Sequence, residues 1–123
     1  MSTITELQRR IGEINVANGW RETDIDALPE GLRAKAQIAV LALITTEVAE
    51  AIEEIRNGRD VDETYYSVGS HGMKPEGVPS EIADVVIRAL DVADAWGIDL
   101  EAVIEIKLAY NAARGYRHGG KTA

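Results

Sequence analysis

Two stretches with the same arrangement of acidic and apolar residues constrain the fold most. The first, EVAEAIEEIR, covers residues 47–56, and the second, EIADVVIRAL, covers residues 81–90. In each stretch two acids stand three positions apart, and apolar residues recur at the spacing of a helix. Two helices packed through such stripes bring four carboxylates into one space, those of Glu47, Glu50, Glu81 and Asp84.

The acids border the apolar stripe in both stretches. At about 100° per residue, Val48, Ile52 and Ile55 lie between about 80° and 140° from Glu47, and Glu50 lies near −60°. Clustered carboxylates repel one another unless a cation lies between them, and Mg²⁺ prefers carboxylate oxygens. The duplicated pattern therefore predicts a divalent cation site, although either pair taken alone is more typical of a solvated helix face.

Length, composition and charge exclude several classes. The 123 residues predict a single domain, 1–123, and the absence of cysteine excludes disulfides and zinc–thiolate sites. The net charge of −8 argues against a nucleic-acid polymer as partner. No apolar run approaches the roughly 18 residues of a membrane span, so we expect a cytoplasmic protein with no membrane contact.

Punctuation along the chain predicts an all-α fold with four helices. Capping residues and Asn-Gly or Gly stops predict helices over residues 3–18, 29–56, 79–96 and 100–114. Residues 58–79 are rich in Gly and Pro and predict a mobile loop, with at most a short strand in the 60s. The tail, residues 115–123, is basic.

The fourth predicted helix carries a basic face. Lys107, Asn111 and Arg114 are spaced by four and three residues and so share one side of the helix. Beside a cage of carboxylates such a face provides donors for phosphate oxygens, and Arg117 and Lys121 extend it. An exposed polar face is the alternative interpretation.

Several other residues have weaker signals. Arg88 follows Asp84 by one turn and is expected to pair with it. Glu54 and Asp91 are expected to be solvated. Trp20, Tyr110 and Tyr116 are candidates for stacking on a base, although most aromatic residues in a small domain serve packing.

Together these motifs resemble a known family. The two acidic pairs, followed by Lys107, Asn111 and Arg114, look like the MazG-like branch of the all-α nucleoside triphosphate pyrophosphohydrolases. The stretches KPEGVPSEIADVVIRALDVADAWGIDL and KLAYNAARGYRHGGK are similar to the second half of small single-domain members from phages and bacteria. The interval between the two acidic pairs is long for the family.

The resemblance implies a function and a site. Relatives use Mg²⁺, with Mn²⁺ as a substitute, to cleave a nucleoside triphosphate into a nucleoside monophosphate and pyrophosphate. Carried over, Glu47, Glu50, Glu81 and Asp84 would be metal ligands, and Glu50 would also orient or deprotonate the attacking water. The substrate would contact Lys107, Asn111, Arg114, Arg117 and Lys121. Family members form four-helix bundles that assemble as homodimers or homotetramers.

Two other classes of protein share part of this pattern. A di-iron carboxylate bundle also places acids on facing helices, but it needs Glu-x-x-His pairs, and no histidine follows either acidic pair at that spacing. A non-catalytic helical interaction or regulatory module that keeps the bundle is the alternative function. Turnover of a triphosphate distinguishes this module from an enzyme.

Overall fold

The computed structural model describes residues 2–21 and 24–115. This part of the chain is mostly helical, as predicted, and adds a small antiparallel sheet of two strands. The helices are α1 (Ile4–Ala17), α2 (Glu30–Arg56), α3 (Val78–Ala95) and α4 (Leu100–Ala113). The strands are β1 (Tyr65–Gly69) and β2 (Gly72–Glu76), and a 3-10 turn covers Ile25–Ala27. None of the described helices is long and apolar enough to cross a membrane.

Local capping sets the helix ends. The Thr3 side chain accepts a hydrogen bond from the Glu6 backbone N–H at 3.1 Å, and α1 begins directly after it. Asp99 does the same for α4 through the Ala102 N–H at 3.2 Å. All four helices begin and end within about two residues of the predicted positions.

The segment predicted as a loop, residues 58–79, contains the hairpin of β1 and β2. Its strands pair with Tyr65 opposite Glu76 and Val68 opposite Met73. Gly77 connects β2 to α3 with a φ of 111°, and a Cβ atom at this position would lie 2.3 Å from the Glu63 carbonyl oxygen. Only glycine fits this turn, which ties the hairpin tightly to the start of α3.

The hairpin is also anchored to α2. The Tyr65 hydroxyl is within hydrogen-bonding distance of both carboxylate oxygens of Glu54, at 2.8 and 2.9 Å, and the Arg59 guanidinium lies 3.7 Å from the centre of the Tyr65 ring. The expectation that Glu54 is simply solvated is therefore wrong. The hydrogen bond to Glu54, followed by burial, raises the pKa of the Tyr65 hydroxyl.

Helix α3 lies at the centre of the fold. It packs against both α1 and α2, and it contributes the four buried apolar residues of the described chain: Val78, Leu90, Val92 and Ala93. Helix α4 packs chiefly on α1, so the four helices of one chain do not close into a symmetrical bundle.

Helices α2 and α3 do not pack through the predicted apolar stripes. Val48 and Ile52 on α2 are 46% and 53% exposed, and Ile82 and Val86 on α3 are 54% and 47% exposed. The more buried face of α2 is the neighbouring one, which includes Val40, Ile44, Glu47 and Ala51. The acidic edge therefore lies in the contact between the helices, and the stripes face outward.

An arginine joins the end of α1 to α3. Arg21 Nη1 donates to Asp94 Oδ2 at 2.8 Å, while Nη2 donates to the Asp91 carbonyl at 3.1 Å and also to the Asp91 carboxylate. Asp91, expected to be solvated, is therefore a structural partner. We call this Arg21–Asp91–Asp94 group the arginine clamp.

Gly12 provides the space for the arginine clamp. A Cβ atom at Gly12 would lie 2.0 Å from Asp94 Oδ2, so we expect Gly12→Ala to displace that carboxylate and to lower the free energy of unfolding by about 1–3 kcal/mol. Gly31→Ala in α2 is the matched control, because nothing lies within 4 Å of its added Cβ. This control should stabilise the protein by up to about 1 kcal/mol in urea denaturation. Equal stability of the two variants would contradict the tight contact.

Candidate metal centre and adjoining pocket

Three of the four predicted metal ligands converge where α2 meets α3. Glu47, Glu50 and Glu81 each offer a carboxylate oxygen, and these oxygens all lie within 4.8 Å of one another. Glu47 and Glu50 share one side of α2 because they are three residues apart, and Glu81 lies in the first turn of α3. Asp84 is one turn further along α3 and lies outside this group of three. We call the four residues the acidic cluster.

Glu47 is the most deeply placed member of the acidic cluster. Its carboxylate accepts a hydrogen bond from Arg88 Nε at 2.6 Å, and the residue is only 6% exposed. This bond holds the pKa of the Glu47 carboxyl below its usual value, despite the opposing effect of burial. The predicted ion pair of Arg88 with Asp84 is replaced by this one.

Glu81 has the opposite electrostatic environment. Burial raises its pKa to about 7, and interactions with the carboxylates of Glu50 and Glu47 add to the effect. Its Oε2 atom is buried without a hydrogen-bond partner among the described residues. At neutral pH this carboxyl therefore holds a proton part of the time.

Asp84 is also influenced by its neighbours. Burial, and then the negative charge of Glu47, raises the pKa of the Asp84 carboxyl, while the positive charges of Arg88 and Lys74 oppose the shift. Lys74 belongs to β2, so the hairpin brings a cation toward the acidic cluster. No local pattern in the sequence indicates this role for Lys74, because its approach depends on the pairing of the two strands.

A pocket of about 360 Å³ opens beside the acidic cluster. One part of its wall is polar and includes Glu47, Asp84 and Arg88. The rest is largely apolar and is formed by residues of α2 and α3 and by a tryptophan three residues beyond the end of α1: Val40, Leu43, Ile87, Val92 and Trp20. Asn15 and Asp91 complete the lining.

The predicted basic face belongs to α4, a helix that does not carry the acidic cluster. Helix α4 packs chiefly on α1, whereas the acidic cluster lies between α2 and α3. Lys107 and Arg114 lie 5.8 and 5.9 Å from the centre of the Tyr110 ring. Asn111 is exposed, and Arg117 and Lys121 fall outside the described residues. Phosphate binding by these five residues stays a prediction.

Comparison with known proteins gives a partial match. No protein-family model matches the chain, and no solved structure matches it. A dATP/dGTP diphosphohydrolase of Cyanophage S-2L is 50% identical over 38 residues, which is 31% of this chain and 36% of that protein. The match thus spans about a third of the length of this curated relative. It supports the general class of nucleoside triphosphate hydrolases and leaves the MazG-like family, the metal and the cleaved bond as predictions.

Proposed function

We propose that this protein hydrolyses a nucleoside triphosphate between the α and β phosphates, with Mg²⁺ as cofactor, as MazG-like enzymes do. The observation that carries the proposal is the convergence of the Glu47, Glu50 and Glu81 carboxylates beside a pocket of small-molecule size. The similarity to a dATP/dGTP diphosphohydrolase supports a triphosphate as substrate. Purine deoxynucleoside triphosphates are therefore the first substrates to examine.

The residues of the acidic cluster fit a hard divalent cation. All of the available ligand atoms are carboxylate oxygens. Mg²⁺ and its substitute Mn²⁺ prefer oxygen ligands, whereas softer metals prefer nitrogen or sulfur. The unpartnered Oε2 of Glu81 offers a free ligand atom, and burial, followed by the neighbouring carboxylates, raises the pKa of this carboxyl. A bound cation would favour its charged form. Glu47, Glu50, Glu81 and Asp84 would hold the ion.

The proposed reaction needs a metal ion, a proton acceptor and groups that bind the phosphates, and residues of this chain can be assigned to each of these roles. A bound Mg²⁺ supplies neutralisation of phosphate charge and polarisation of a water. Glu50, the exposed member of the cluster, orients that water and accepts its proton. The new bond joins the water oxygen to phosphorus, and the bond to the leaving phosphate oxygen breaks. Lys107, Asn111, Arg114, Arg117 and Lys121 are proposed to hold the phosphates.

A product assay tests this function. We expect the protein with Mg²⁺ to convert a purine deoxynucleoside triphosphate into a monophosphate and pyrophosphate, resolved by anion exchange. Glu50→Gln should lower kcat by about 100-fold or more, as loss of a proton acceptor does. Glu53→Gln is the matched control, because Glu53 is an exposed acid on the same helix outside the cluster. Equal activity of both variants would contradict the role of Glu50.

We also propose that the protein is a homodimer or homotetramer. The outward-facing stripes on α2 and α3 include four large apolar residues that are each about half exposed: Val48, Ile52, Ile82 and Val86. Large apolar side chains exposed on two packed helices are typical of an interface. A second chain would cover these residues.

Light scattering tests the assembly. At micromolar concentration we expect a mass of at least twice the 13.4 kDa of one chain, and a shift toward the single-chain mass for Ile52→Asp. Val68→Asp, in the hairpin at a residue that is 87% exposed, is the control and should leave the mass unchanged. A mass of 13.4 kDa for the unmodified protein would contradict the proposed assembly.

A further inference from the structure

The pocket beside the acidic cluster has two chemically different ends. Glu47, Asp84 and Arg88 form the charged end, whereas Leu43 and Ile87 belong to the apolar part of the wall. A nucleotide has the same polarity, with charged phosphates joined to a flat and largely apolar base. The volume of about 360 Å³ lies at the lower end of the range of roughly 300–1,000 Å³ that small-molecule sites occupy.

Two residues in and just beyond the last turn of α1 line the pocket. Trp20 lines the pocket, yet it is 77% exposed, which leaves a large aromatic surface uncovered. The Asn15 side chain also lines the pocket, and its carboxamide has no hydrogen-bond partner in the part of the chain that the structure describes. A stacking surface and an unpaired donor–acceptor group thus lie on one wall.

The arginine clamp fixes this wall relative to the acidic cluster. Arg21 follows Trp20 directly, and its bonds to Asp91 and Asp94 hold it against α3, the helix that carries Glu81 and Asp84. The Trp20 backbone N–H also donates to the Asn15 carbonyl at 3.0 Å. The two residues are therefore held close to each other and at a set place along α3.

We propose that this pocket is a purine-binding subsite, in which Trp20 stacks on the base and Asn15 binds its edge. The inference rests on the proposed hydrolysis for its phosphate end. A carboxamide offers a donor and an acceptor side by side, which matches the N6 and N7 edge of adenine. Pyrimidines give a smaller stacking surface and lack this edge. Arg21 is a positioning residue in this arrangement.

Binding without turnover provides the first test. In a Trp96→Phe background Trp20 is the remaining tryptophan, because the chain has two, so its fluorescence reports stacking. Deoxyadenosine, which carries no phosphate, should quench this fluorescence with saturation and at lower concentration than thymidine. Asn15→Ala should weaken deoxyadenosine binding about tenfold or more. Asn18→Ala is the matched control, since Asn18 is an exposed amide at the end of the same helix outside the pocket.

Kinetics separate this subsite from the proposed reaction. Asn15→Asp and Trp20→Leu should raise KM for dATP by about tenfold or more and change kcat less, because they act on binding and not on the acidic cluster. Full turnover with unchanged KM in both variants, or an absence of Trp20 quenching, would overturn the subsite and leave the reaction intact. Saturable quenching without hydrolysis would instead support the subsite and remove the reaction.

Discussion

Replacing Glu81 with glutamine is expected to stabilise the metal-free protein at pH 8 and to abolish its stabilisation by Mg²⁺. The substitution removes the charge of a buried carboxyl whose pKa is raised to about 7, and it keeps the shape of the side chain. The melting temperature without metal should rise by roughly 4 °C or more, the shift that about 1 kcal/mol produces in a domain of this size.

The pH dependence of stability gives the sign of this effect. The folded-state pKa of Glu81, about 7, lies above the ordinary value of 4.5, so the folded protein retains this proton longer than the unfolded chain does. Stability is therefore highest below pH 4.5 as far as this group is concerned, and it falls as pH rises toward about 7. Glu81→Gln should remove this fall, and Glu53→Gln should retain it.

Binding of Mg²⁺ should stabilise the folded protein. With Mg²⁺ about 100-fold above its Kd, the unmodified protein should gain about 3 kcal/mol, or roughly 10 °C in melting temperature. Glu81→Gln should gain almost nothing, because a neutral amide replaces one charged ligand. An equal gain in both proteins would show that Glu81 does not hold the ion.

Removing the Arg88 side chain is expected to cause the second large effect. Arg88→Ala leaves the 6% exposed Glu47 without its ion-pair partner. Loss of one partner from a buried pair costs about 3–5 kcal/mol, and we expect about 2–3 kcal/mol here because the Arg88 side chain is 42% exposed. Urea denaturation without metal measures the loss.

Two controls identify the cause of that loss. Arg56→Ala breaks a surface pair with Glu53, whose side chains are 74% and 63% exposed, and should change stability by less than about 0.5 kcal/mol. Adding Glu47→Gln to Arg88→Ala should recover part of the lost stability, because no buried charge remains. A double variant less stable than Arg88→Ala would contradict this explanation.

Low pH should reduce the effect of Arg88→Ala. The folded-state pKa of Glu47 lies below the ordinary value of 4.5, chiefly because of the Arg88 hydrogen bond. The stability from this interaction is therefore fully present above pH 4.5 and is lost as pH falls through the lower folded-state value. The difference in free energy of unfolding between the unmodified protein and Arg88→Ala should therefore become smaller as the pH falls below 4.5.

The helices could be predicted because their signals are local. Thr3 and Asp99 cap helices through bonds to residues three positions away, and the periodicity of α2 and α3 lies within single stretches. The placement of Glu47 and Glu50 on one side of α2 also followed from local spacing, whereas the approach of Glu81 depends on the packing of α2 against α3.

The packing could not be predicted in the same way. Helix α2 has two adjacent faces with apolar residues, one with Val40 and Ile44 and one with Val48 and Ile52, and periodicity alone does not choose between them. The choice depends on what the rest of the chain covers. The pocket depends on the Arg21–Asp91 contact, whose partners are 70 positions apart in sequence.

The sequence indicates at most a short strand in the 60s, which β1 matches, but it indicates neither β2 nor the pairing of the hairpin. Its strands have five residues each, and β2 contains Pro75 and Gly72, which weaken a strand signal. Anchoring by Glu54 and the turn at Gly77 involve partners outside the strands. Tyr65, Tyr66 and Val68 were the available signal, because aromatic and β-branched residues favour strands.

The most direct test is a ³¹P NMR time course of dATP with the protein and Mg²⁺. We predict that the three triphosphate resonances are replaced by one resonance of the monophosphate and one of pyrophosphate, and that a chelator stops the change. Resonances of a diphosphate with free phosphate, or of intact tripolyphosphate, would show cleavage at another bond. Either pattern would contradict hydrolysis between the α and β phosphates.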